Sequence, residues 1–244
     1  MSNYLTEILQ RKQLEVKELP RPLTFQEALM QNPLAVIAEI KRKSPSKGIL
    51  NSSIDPAELA QKYVAGGAAA ISVLTDREGF GGSLEDLQAV VKACPGTPVL
   101  RKDFIIDLRQ LYETARSGAH AVLLIVAALG ERLPEFLRAA KEYGLETLVE
   151  VHDLGELYLA QSAQAKIIGV NNRNLETFEI SLNTAEQLAP YFSEGIIKVA
   201  ESGIENRDHA KRMRKAGYNA VLIGESLVKA KDPQALVKEL CHVN

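Results

Sequence analysis

From residue 35 onward the chain repeats one pattern of apolar and polar positions. A short apolar run rich in β-branched residues is followed by a polar turn, and then by a stretch whose apolar residues recur at helical spacing. Short apolar runs between turn residues are typical of buried strands, and a recurrence of three to four residues is typical of amphipathic helices. The predicted strands are Val36–Lys41, Ala69–Leu74, Val99–Lys102, Ala121–Val126, Thr147–Val151, Ile167–Asn171, Ile197–Glu201 and Ala220–Gly224. The predicted helices lie near residues 56–65, 84–93, 108–117, 132–143, 154–162, 182–190, 206–216 and 232–241.

This alternation determines the expected fold class. Strands that alternate with helices pair in parallel through crossover connections. Eight such units in about 210 residues, with no break in composition between them, predict an α/β fold of the closed (β/α)8 (TIM) barrel type. The rival fold, an open doubly wound sheet, normally carries G-x-G-x-x-G after its first strand, whereas the turn after Lys41 contains only Gly48. We therefore expect residues 1–244 to form a single barrel domain.

The residues ahead of the first strand predict two further helices. Apolar residues recur at roughly helical spacing over residues 2–18. Thr24 followed by Glu27 is a capping-box pattern that begins a second, short helix, and Pro33 ends it. We expect residues 1–33 to be an N-terminal helical extension that lies across one end of the barrel.

Composition and charge narrow the class of protein. The 244 residues are 46% hydrophobic and 25% charged, with a formal net charge of -2, which is an ordinary globular composition and argues against a general nucleic-acid binder. There is no apolar run long enough to span a membrane, and the N-terminus lacks the apolar core of a signal peptide. Cys94 and Cys241 are isolated, as suits a reducing compartment. We expect a cytoplasmic monomer that contacts neither nucleic acid nor membrane.

Ionisable residues stand near the C-terminal end of every odd-numbered predicted strand, and the sixth strand adds a polar amide. Catalytic sites of such barrels lie at this end, where alternate strands contribute to the same interior layer. The residues are Glu39 and Lys41, Lys102, Glu150, Asn171 and Glu201. Buried lysines and carboxylates in one pocket shift each other's pKa values, which suits a cationic acid opposite a carboxylate base. They do not suggest a metal site, since lysine is a poor ligand and no histidine joins them.

The loops after the seventh and eighth strands read E-S-G-I and I-G-E-S-L. Such barrels often bind phosphate there through backbone N–H groups and the start of a short extra helix. The candidate residues are Ser202, Gly203, Gly224 and Glu225, with Lys41 and Ser44 closing the site from the first strand. Because the Glu225 carboxylate would repel a phosphate, we expect only its backbone N–H to point inward.

Three other features are interpreted structurally. The G-F-G-G-S run at 79–83 has no Walker spacing and is interpreted as a flexible loop, with Phe80 available to cover an aromatic ligand. Arg101 alternates with Lys102 and should face the helices. His152, two residues past Glu150, belongs to no ligand pattern and is left outside the predicted site, with a contact at the rim of the site as the alternative.

Eight motifs in register carry a family resemblance that covers nearly the whole chain. They are A-E-I-K-R-K-S-P-S, S-V-L-T-D with F-G-G-S, L-R-K-D-F, L-L-I-V, L-V-E-V, G-V-N-N-R-N-L, V-A-E-S-G-I and L-I-G-E-S-L. In this combination the chain resembles the indole-3-glycerol-phosphate synthase family of tryptophan biosynthesis, one of the ribulose-phosphate-binding barrels. The resemblance implies a carboxy-lyase that converts 1-(2-carboxyphenylamino)-1-deoxyribulose 5-phosphate to indole-3-glycerol phosphate, CO2 and water. It implies no cofactor and no metal.

The resemblance also implies roles for the polar cluster. Lys102 is expected to be the general acid that protonates the ribulose carbonyl, and Glu150 the acid–base partner in the later dehydration. Lys41 is expected to hold the anionic groups of the substrate and to share the acid role. Glu39 and Asn171 would orient the lysine and the sugar hydroxyls, and Glu201 would complete the polar wall.

The remaining matches are substrate-binding positions. Those expected around the phosphate are Ser44, Ser202, Gly203, Gly224 and Glu225, and those near the anthranilate ring are Phe80, Phe104 and Leu123, with Arg173 of the G-V-N-N-R-N-L motif as a further contact. Glu225 departs from the relatives that carry a serine there, which leaves the phosphate contact dependent on the backbone.

Two other functions remain open from the residues alone. Lys102 could act as a Schiff-base nucleophile toward a keto sugar phosphate, or the barrel could bind a sugar phosphate without catalysis. The expected partner in every case is a small sugar phosphate, with other enzymes of the tryptophan pathway as candidate protein partners.

Overall fold

The computed structural model describes residues 2–18 and 22–243, and within them the side chains of residues 4–15 and 22–243. The strands are β1 (Ala35–Ile40), β2 (Lys43–Ser44), β3 (Gly48–Ile49), β4 (Ala70–Leu74), β5 (Val99–Lys102), β6 (Ala121–Ile125), β7 (Glu146–Val151), β8 (Ile167–Asn171), β9 (Ile197–Glu201) and β10 (Ala220–Ile223). All but β2 and β3 pair in parallel and close in the order β1-β10-β9-β8-β7-β6-β5-β4. The predicted (β/α)8 fold class is confirmed.

Two helices precede the first strand, and the others follow the barrel strands. They are α1 (Ser2–Glu18), α2 (Phe25–Leu29), α3 (Pro56–Ala65), α4 (Arg77–Phe80), α5 (Leu84–Ala93), α6 (Leu108–Arg116), α7 (Val126–Leu129), α8 (Leu133–Glu142), α9 (Leu154–Ser162), α10 (Asn183–Leu188), α11 (Arg207–Lys215), α12 (Glu225–Lys229) and α13 (Pro233–Cys241). Short 3₁₀ turns at Gly130–Arg132 and Ala189–Tyr191 extend α8 and α10. No helix within the described ranges is both long and apolar enough to cross a membrane.

Side-chain caps fix where the outer helices begin. The Asp55 carboxylate accepts the N–H groups of Ala57 and Glu58, and Pro56 occupies the first turn of α3. The Asp153 side chain accepts the N–H of Glu156 in the same way at the start of α9. These caps fix the helix starts and so determine where the connecting loops end.

The barrel separates two apolar cores. The outer core lies between strands and helices and contains the largest buried side chains, such as Tyr63 and Phe136. The inner core fills the barrel with residues of alternate positions, among them Ile37, Leu100 and Leu148. Because a strand's side chains alternate between the two, the residues two positions beyond these, at the strand C-termini, also point inward.

Helix α2 closes the N-terminal end of the barrel. Thr24 and Glu27 form the predicted capping box, and Phe25 and Leu29 are fully buried against the inner core. The Glu146 carboxylate, at the start of β7, accepts the backbone N–H groups of Phe25 and Gln26. Because α2 covers this end, the barrel is open at the opposite end, where the strand C-termini lie.

The structure differs from the prediction mainly by short additional elements in the connections on the C-terminal side of the strands. The β2–β3 hairpin, α4, α7 and α12 are short elements inside connections interpreted as turns or loops. The run at 79–83, predicted as a flexible loop, begins instead as the end of α4, which Asp76 caps. The predicted extension (1–33) and domain (1–244) include residues 1, 19–21 and 244, which lie outside the described residues.

Candidate active site

The open end of the barrel holds a cavity of about 360 Å³. Fourteen of the fifteen predicted site residues line it, and the remaining one, Lys41, contacts the lining residue Glu39. The fourteen are Glu39, Ser44, Phe80, Lys102, Phe104, Leu123, Glu150, Asn171, Arg173, Glu201, Ser202, Gly203, Gly224 and Glu225. The structure thus brings together residues from β1 to the start of α12.

Lys102 lies at the centre of the polar cluster. Its Nζ donates to Glu150 Oε2 at 3.0 Å and lies 3.2 Å from Glu201 Oε2. Both carboxylates are almost fully buried, and they arrive from β7 and β9, at a strand position equivalent to that of Lys102 on β5. A partly buried lysine held between two carboxylates is a fixed proton donor facing the cavity.

Glu150 is surrounded by donors. Its Oε1 accepts a hydrogen bond from Asn171 Nδ2 at 3.0 Å, and His152 Nε2 lies 3.2 Å from the same oxygen. His152 Nε2 and Glu150 Oε1 are at ion-pair distance, but the two groups are not aligned for a hydrogen bond. Sequence reasoning left His152 outside the site; its adjacency to Glu150 along the chain was the only signal, because its orientation depends on a hydrogen bond from α9.

These contacts shift pKa values in different directions. Burial opposes the charge on Lys102, but Glu150, Glu201 and Glu39 outweigh it and raise the pKa of Lys102 above its ordinary value. Burial acts against ionised Glu150 as well, yet Lys102 and His152 hold the pKa of Glu150 below its usual range.

Glu201 behaves in the opposite way. Burial, together with repulsion from Glu150, raises the pKa of Glu201 despite the nearby ammonium of Lys102. Neither Glu201 oxygen has a hydrogen-bond donor among the described residues. The cluster therefore presents a protonated lysine, an ionised carboxylate, and a second carboxylate that protonates more readily. A Schiff-base nucleophile needs a neutral amine, so the raised pKa of Lys102 disfavours that alternative.

Glu39 and Lys41 form a second ion pair, between Lys41 Nζ and Glu39 Oε1 at 2.5 Å. A Cβ placed on Gly224 would come within 2.3 Å of the same Glu39 oxygen and 3.1 Å of Lys41 Nζ. The absence of a side chain at Gly224 lets this pair approach the end of β10. The polar cluster around Lys102 is therefore contiguous with the loops after β9 and β10, which were predicted to bind phosphate.

The loop after β9 has an unusual backbone. Ser202 and Gly203 have φ values of 65° and 79°, and Ser202 is one of few non-glycine residues in the left-handed region. Asn172, buried beside Asn171, donates through Nδ2 to the Ser202 carbonyl at 3.1 Å and accepts the N–H of Ala185. Asn172 thus ties the strained loop to α10, a role that the sequence did not reveal.

Ser44 and Glu225 also line the cavity near the predicted phosphate site. The Ser44 hydroxyl is buried, lines the cavity, and has no hydrogen-bond partner among the described residues. The Glu225 carboxylate pairs with Lys47 Nζ and Lys229 Nζ, each at 2.7 Å, so its charge is balanced within the protein. Glu225 is also the first residue of α12, a short helix in the predicted place.

An apolar wall covers the cavity opposite the polar cluster. The rings of Phe80 and Phe104 are 6.3 Å apart, and Phe104 is half exposed. Leu175, Phe178 and Ile180 add to this wall from the connection after β8, and no periodic pattern in that loop had indicated them. Arg173 Nη1 donates to Ser46 Oγ at 3.1 Å, which joins this connection to the one after β1.

Arg101 lies on the opposite face of β5, as predicted. Its guanidinium donates to Glu113 and Thr114 on α6 and to Asp103. In the part of the chain that the structure describes, no three His, Cys, Asp or Glu side chains are grouped so as to hold a metal ion.

Comparisons with known proteins agree with this geometry. The family model for indole-3-glycerol phosphate synthase matches residues 4–240. Indole-3-glycerol phosphate synthase from Chlorobium limicola is 53% identical over 195 residues, which cover 80% of this chain and 75% of that protein. The enzyme of the same name from Listeria welshimeri is 44% identical over 248 residues, covering 97% and 98%.

Solved structures resemble the chain in fold alone. Thiamine phosphate pyrophosphorylase from Pyrococcus furiosus superimposes with a TM-score of 0.64 at 18% identity, covering 86% of this chain and 94% of that one. At this identity the likeness extends to the barrel and no further.

Proposed function

The chain belongs to the indole-3-glycerol phosphate synthase family, and we propose a division of that family's reaction among its site residues. The reaction closes the pyrrole ring of 1-(2-carboxyphenylamino)-1-deoxyribulose 5-phosphate and releases CO2 and water, a carbon–carbon lyase step of tryptophan biosynthesis. The observation that carries the proposal is Lys102 Nζ held between Glu150 and Glu201 at 3.0 and 3.2 Å on the cavity wall.

Lys102 is the acid of ring closure. As the aromatic carbon attacks the ribulose carbonyl, negative charge develops on the carbonyl oxygen, and a fixed ammonium stabilises it and donates a proton. The carboxylates around Lys102 hold the ammonium in place before the substrate arrives. Loss of the substrate carboxylate as CO2 then restores the aromatic ring.

Glu150 is the acid–base partner of the dehydration. Its carboxylate touches Lys102 through one oxygen and Asn171 through the other, so its orientation is fixed. Removal of the new hydroxyl as water needs a proton on oxygen and the loss of a proton from the ring carbon. Two adjacent groups that exchange protons, Lys102 and Glu150, can carry out both transfers.

Four further residues hold and orient the substrate. Lys41, paired with Glu39, attracts the anionic groups of the substrate and shares the acid role. Glu39 and Asn171 orient the lysine side chains and the sugar hydroxyls. Glu201, which meets Lys102 but no other donor in the described region, completes the polar wall.

The phosphate group binds between the ends of β1, β9 and β10. The buried, unpartnered Ser44 hydroxyl supports this placement, because a buried polar atom is costly unless a partner arrives. Backbone N–H groups of the Ser202–Gly203 turn and of the chain at Gly224–Glu225 complete the site. The Glu225 carboxylate, already paired with Lys47 and Lys229, repels a phosphate less than a free carboxylate would.

The anthranilate ring lies against the apolar wall. Phe80, Phe104 and Leu123 border the cavity there, and an aromatic ring between them is shielded from water while its attacking carbon faces Lys102. Arg173, which already contacts Ser46 across the cavity, is a further substrate contact.

We also propose that the chain acts as a monomer in the cytoplasm on this small substrate, without nucleic acid, membrane or cofactor. Support comes from a formal net charge of only -2, which gives no general attraction to nucleic acid, and from two thiols that are both unpaired, as suits a reducing compartment. Sedimentation velocity at micromolar concentration tests the monomer, and a second species above the monomer mass would contradict it.

The decisive experiment is direct. The purified chain, incubated with the anthranilate-derived ribulose phosphate, should generate the fluorescence of an indole, and CO2 should appear in equal amount. Lys102→Met and Glu150→Gln should each abolish most of this signal while the variants remain folded. A folded wild-type chain that binds the substrate without forming indole would overturn the assignment in favour of a binding protein.

A further inference from the structure

Within the described part of the chain, the loop that follows β9 bonds its carbonyl groups and leaves its N–H groups unused. The N–H groups of Ser202, Gly203 and Ile204 donate to no other group there. The Ser202 carbonyl accepts a hydrogen bond from Asn172 Nδ2 at 3.1 Å. The Ile204 carbonyl accepts one from Ser226 Oγ at 3.2 Å. Successive N–H groups of a turn form a concave donor set that suits an anion, and all three residues of this loop line the cavity.

Ser202 holds a backbone conformation that its residue type does not favour. Its φ of 65° lies in the left-handed region, which is costly for residues other than glycine. Gly203 follows with a φ of 79°, and a Cβ placed on it would come within 2.5 Å of Ile180 Cγ2. A strained conformation persists only where the surrounding structure holds it. A group outside the loop must therefore keep the Ser202 peptide in this orientation.

Asn172, the first residue after β8, is placed to do so. It is 2% exposed and lies outside the cavity lining. While its Nδ2 donates to the Ser202 carbonyl, its Oδ1 accepts the N–H of Ala185 at 3.0 Å. Its backbone N–H donates to the Glu201 carbonyl, and its carbonyl accepts the N–H of Ser181, each at 2.9 Å. The side chain is therefore fixed from α10 and from two neighbouring backbone segments.

Holding the Ser202 carbonyl also fixes the direction of the next N–H group. The peptide bond is planar and trans, so the Ser202 carbonyl and the Gly203 N–H point in opposite directions. With the carbonyl bonded to Asn172 behind the cavity wall, the Gly203 N–H is directed toward the cavity side. If this peptide turned over, its carbonyl oxygen would face the cavity and repel an anion. The orientation of one peptide thus decides whether this position attracts or repels a phosphate.

We propose that Asn172 is a positioning residue that makes the enzyme selective for a phosphorylated substrate, by holding the Ser202 peptide with its N–H toward the phosphate. This role rests on the proposed function, in which the phosphate binds between the ends of β1, β9 and β10. Asn172 meets neither the substrate nor the reacting atoms. Asparagine suits the position because one short side chain supplies a donor for the Ser202 carbonyl and an acceptor for the Ala185 N–H.

Asn172→Asp tests the donor with little change of shape. An ionised aspartate still accepts the Ala185 N–H, but it has no proton for the Ser202 carbonyl and repels it. Fluorescence titration compares the binding of indole-3-glycerol phosphate with that of unphosphorylated indole-3-glycerol. The Kd of the phosphorylated ligand should rise by about tenfold or more, the value of one hydrogen bond to a charged group, while that of the unphosphorylated ligand stays within about twofold.

Asn172→Ser tests the same donor without introducing a charge. The serine hydroxyl is one bond closer to the backbone than the asparagine amide, so it does not reach the Ser202 carbonyl. The same selective loss of the phosphorylated ligand is expected, and this variant decides the matter if Asn172→Asp does not fold. Agreement between the two variants separates the loss of the donor from the effect of an added carboxylate.

Steady-state kinetics supply a readout that a merely structural role would not move. Because Asn172 acts on phosphate binding alone, both variants should raise KM by about tenfold while kcat stays within about twofold. The preceding residue, Asn171, donates to Glu150, so a general distortion of this strand end would lower kcat and weaken both ligands. An equal loss for both ligands, or a fall in kcat without a rise in KM, overturns the proposal.

Asn219→Asp is the matched control. Asn219 lies immediately before β10, at the N-terminal end of the barrel, and its Oδ1 accepts the N–H of Lys198 at 2.8 Å. It is outside the cavity lining. The same substitution there should leave both dissociation constants, KM and kcat unchanged, which separates the loss at Ser202 from the general effect of replacing a hydrogen-bonded asparagine by aspartate.

A glycine at position 202 tests the conformational part of the proposal. Glycine adopts a positive φ without steric cost, so the turn should depend less on Asn172 in a Ser202→Gly background. The rise in the Kd of indole-3-glycerol phosphate caused by Asn172→Ser should therefore be at least about threefold smaller in that background than in wild type. Equal rises in the two backgrounds would show that Asn172 does not act through the conformation of Ser202, and would overturn the proposal.

The outcomes distinguish this inference from the proposed function. If the wild-type chain forms no indole, or binds the phosphorylated and unphosphorylated ligands equally well, the proposed function or its phosphate site fails. If wild type is active and prefers the phosphorylated ligand, and Asn172→Asp and Asn172→Ser both keep that preference, the role of Asn172 fails alone.

Discussion

Gly169 on β8 lies directly against the carboxylate of Glu201 on β9. A Cβ placed on Gly169 would come within 2.0 Å of Glu201 Oε1 and 3.2 Å of Leu148 Cδ1. Glu201 is 1% exposed and its Oε2 lies 3.2 Å from Lys102 Nζ. The missing side chain at Gly169 is therefore what allows a third strand to bring a carboxylate to Lys102.

Gly169→Ala should move the Glu201 carboxylate away from Lys102 and lower kcat by about tenfold or more, since displacements near 1 Å in a catalytic cluster can cost about 10²-fold. Steady-state kinetics measure the loss, and near-UV circular dichroism checks the fold. The control is Gly169→Ala combined with Glu201→Gln. If the alanine acts through Glu201, the double variant loses much less than the sum of the two effects; additive losses would contradict this explanation.

Lys102→Met should reduce kcat by at least about 10²-fold, because a positioned acid contributes chiefly to the transition state. The affinity for indole-3-glycerol phosphate, followed by fluorescence titration, should change little. Lys198→Met is the matched control, since Lys198 is a partly buried lysine of β9 that contacts Ala189 and the Phe192 ring, away from the site. A kcat within tenfold of wild-type for Lys102→Met would remove Lys102 from the acid role.

The main cluster could be predicted because the fold class fixes the relation between residues far apart in sequence. Once eight strand–helix units close into a barrel, alternation alone places Lys102, Glu150 and Glu201 in adjacent interior positions. No knowledge of loops is required for this, since each residue lies within a regular strand. The strand bounds agreed with the structure to within one residue at either end.

The parts that the sequence did not reveal depend on loop conformation. His152 follows β7, and only its hydrogen bond with Glu156 turns the imidazole toward Glu150. Phe178 joins the apolar wall because it adopts a φ of 58° in the connection after β8. Such orientations follow from contacts between separate elements, and neither periodicity nor residue type indicates them.

His152 should also make stability depend on pH. Its pKa is about 10 in the folded chain, where Glu150 and Glu156 outweigh burial, against about 6.5 when unfolded. A raised pKa means that the stabilisation is complete below pH 6.5 and is lost as the pH rises through 10. The difference in unfolding free energy between wild-type and His152→Gln, from urea titrations, should therefore shrink from pH 6 to pH 10.

His120→Gln is a control in which the pH dependence of the stability difference should have the opposite sign. Burial lowers the pKa of His120, so its neutral form is favoured on folding and its contribution is lost as the pH falls below 6.5. Its free-energy difference from wild-type should shrink toward acid pH. A His152→Gln difference that stays constant, or grows, above pH 6.5 would contradict the charged state assigned to His152.

Ser44→Ala should separate stability from substrate binding. The Ser44 hydroxyl is buried in the cavity wall without a partner in the described chain, so removing it should leave the unfolding free energy unchanged or raise it by up to about 1 kcal/mol. If that hydroxyl binds the substrate phosphate, KM should rise by about tenfold, the value of one hydrogen bond to a charged group, with little change in kcat. Ser72→Ala is the matched control, because Ser72 has an equally buried, unpartnered hydroxyl on β4 but is absent from the cavity lining. Equal KM values for Ser44→Ala and Ser72→Ala would place the phosphate elsewhere.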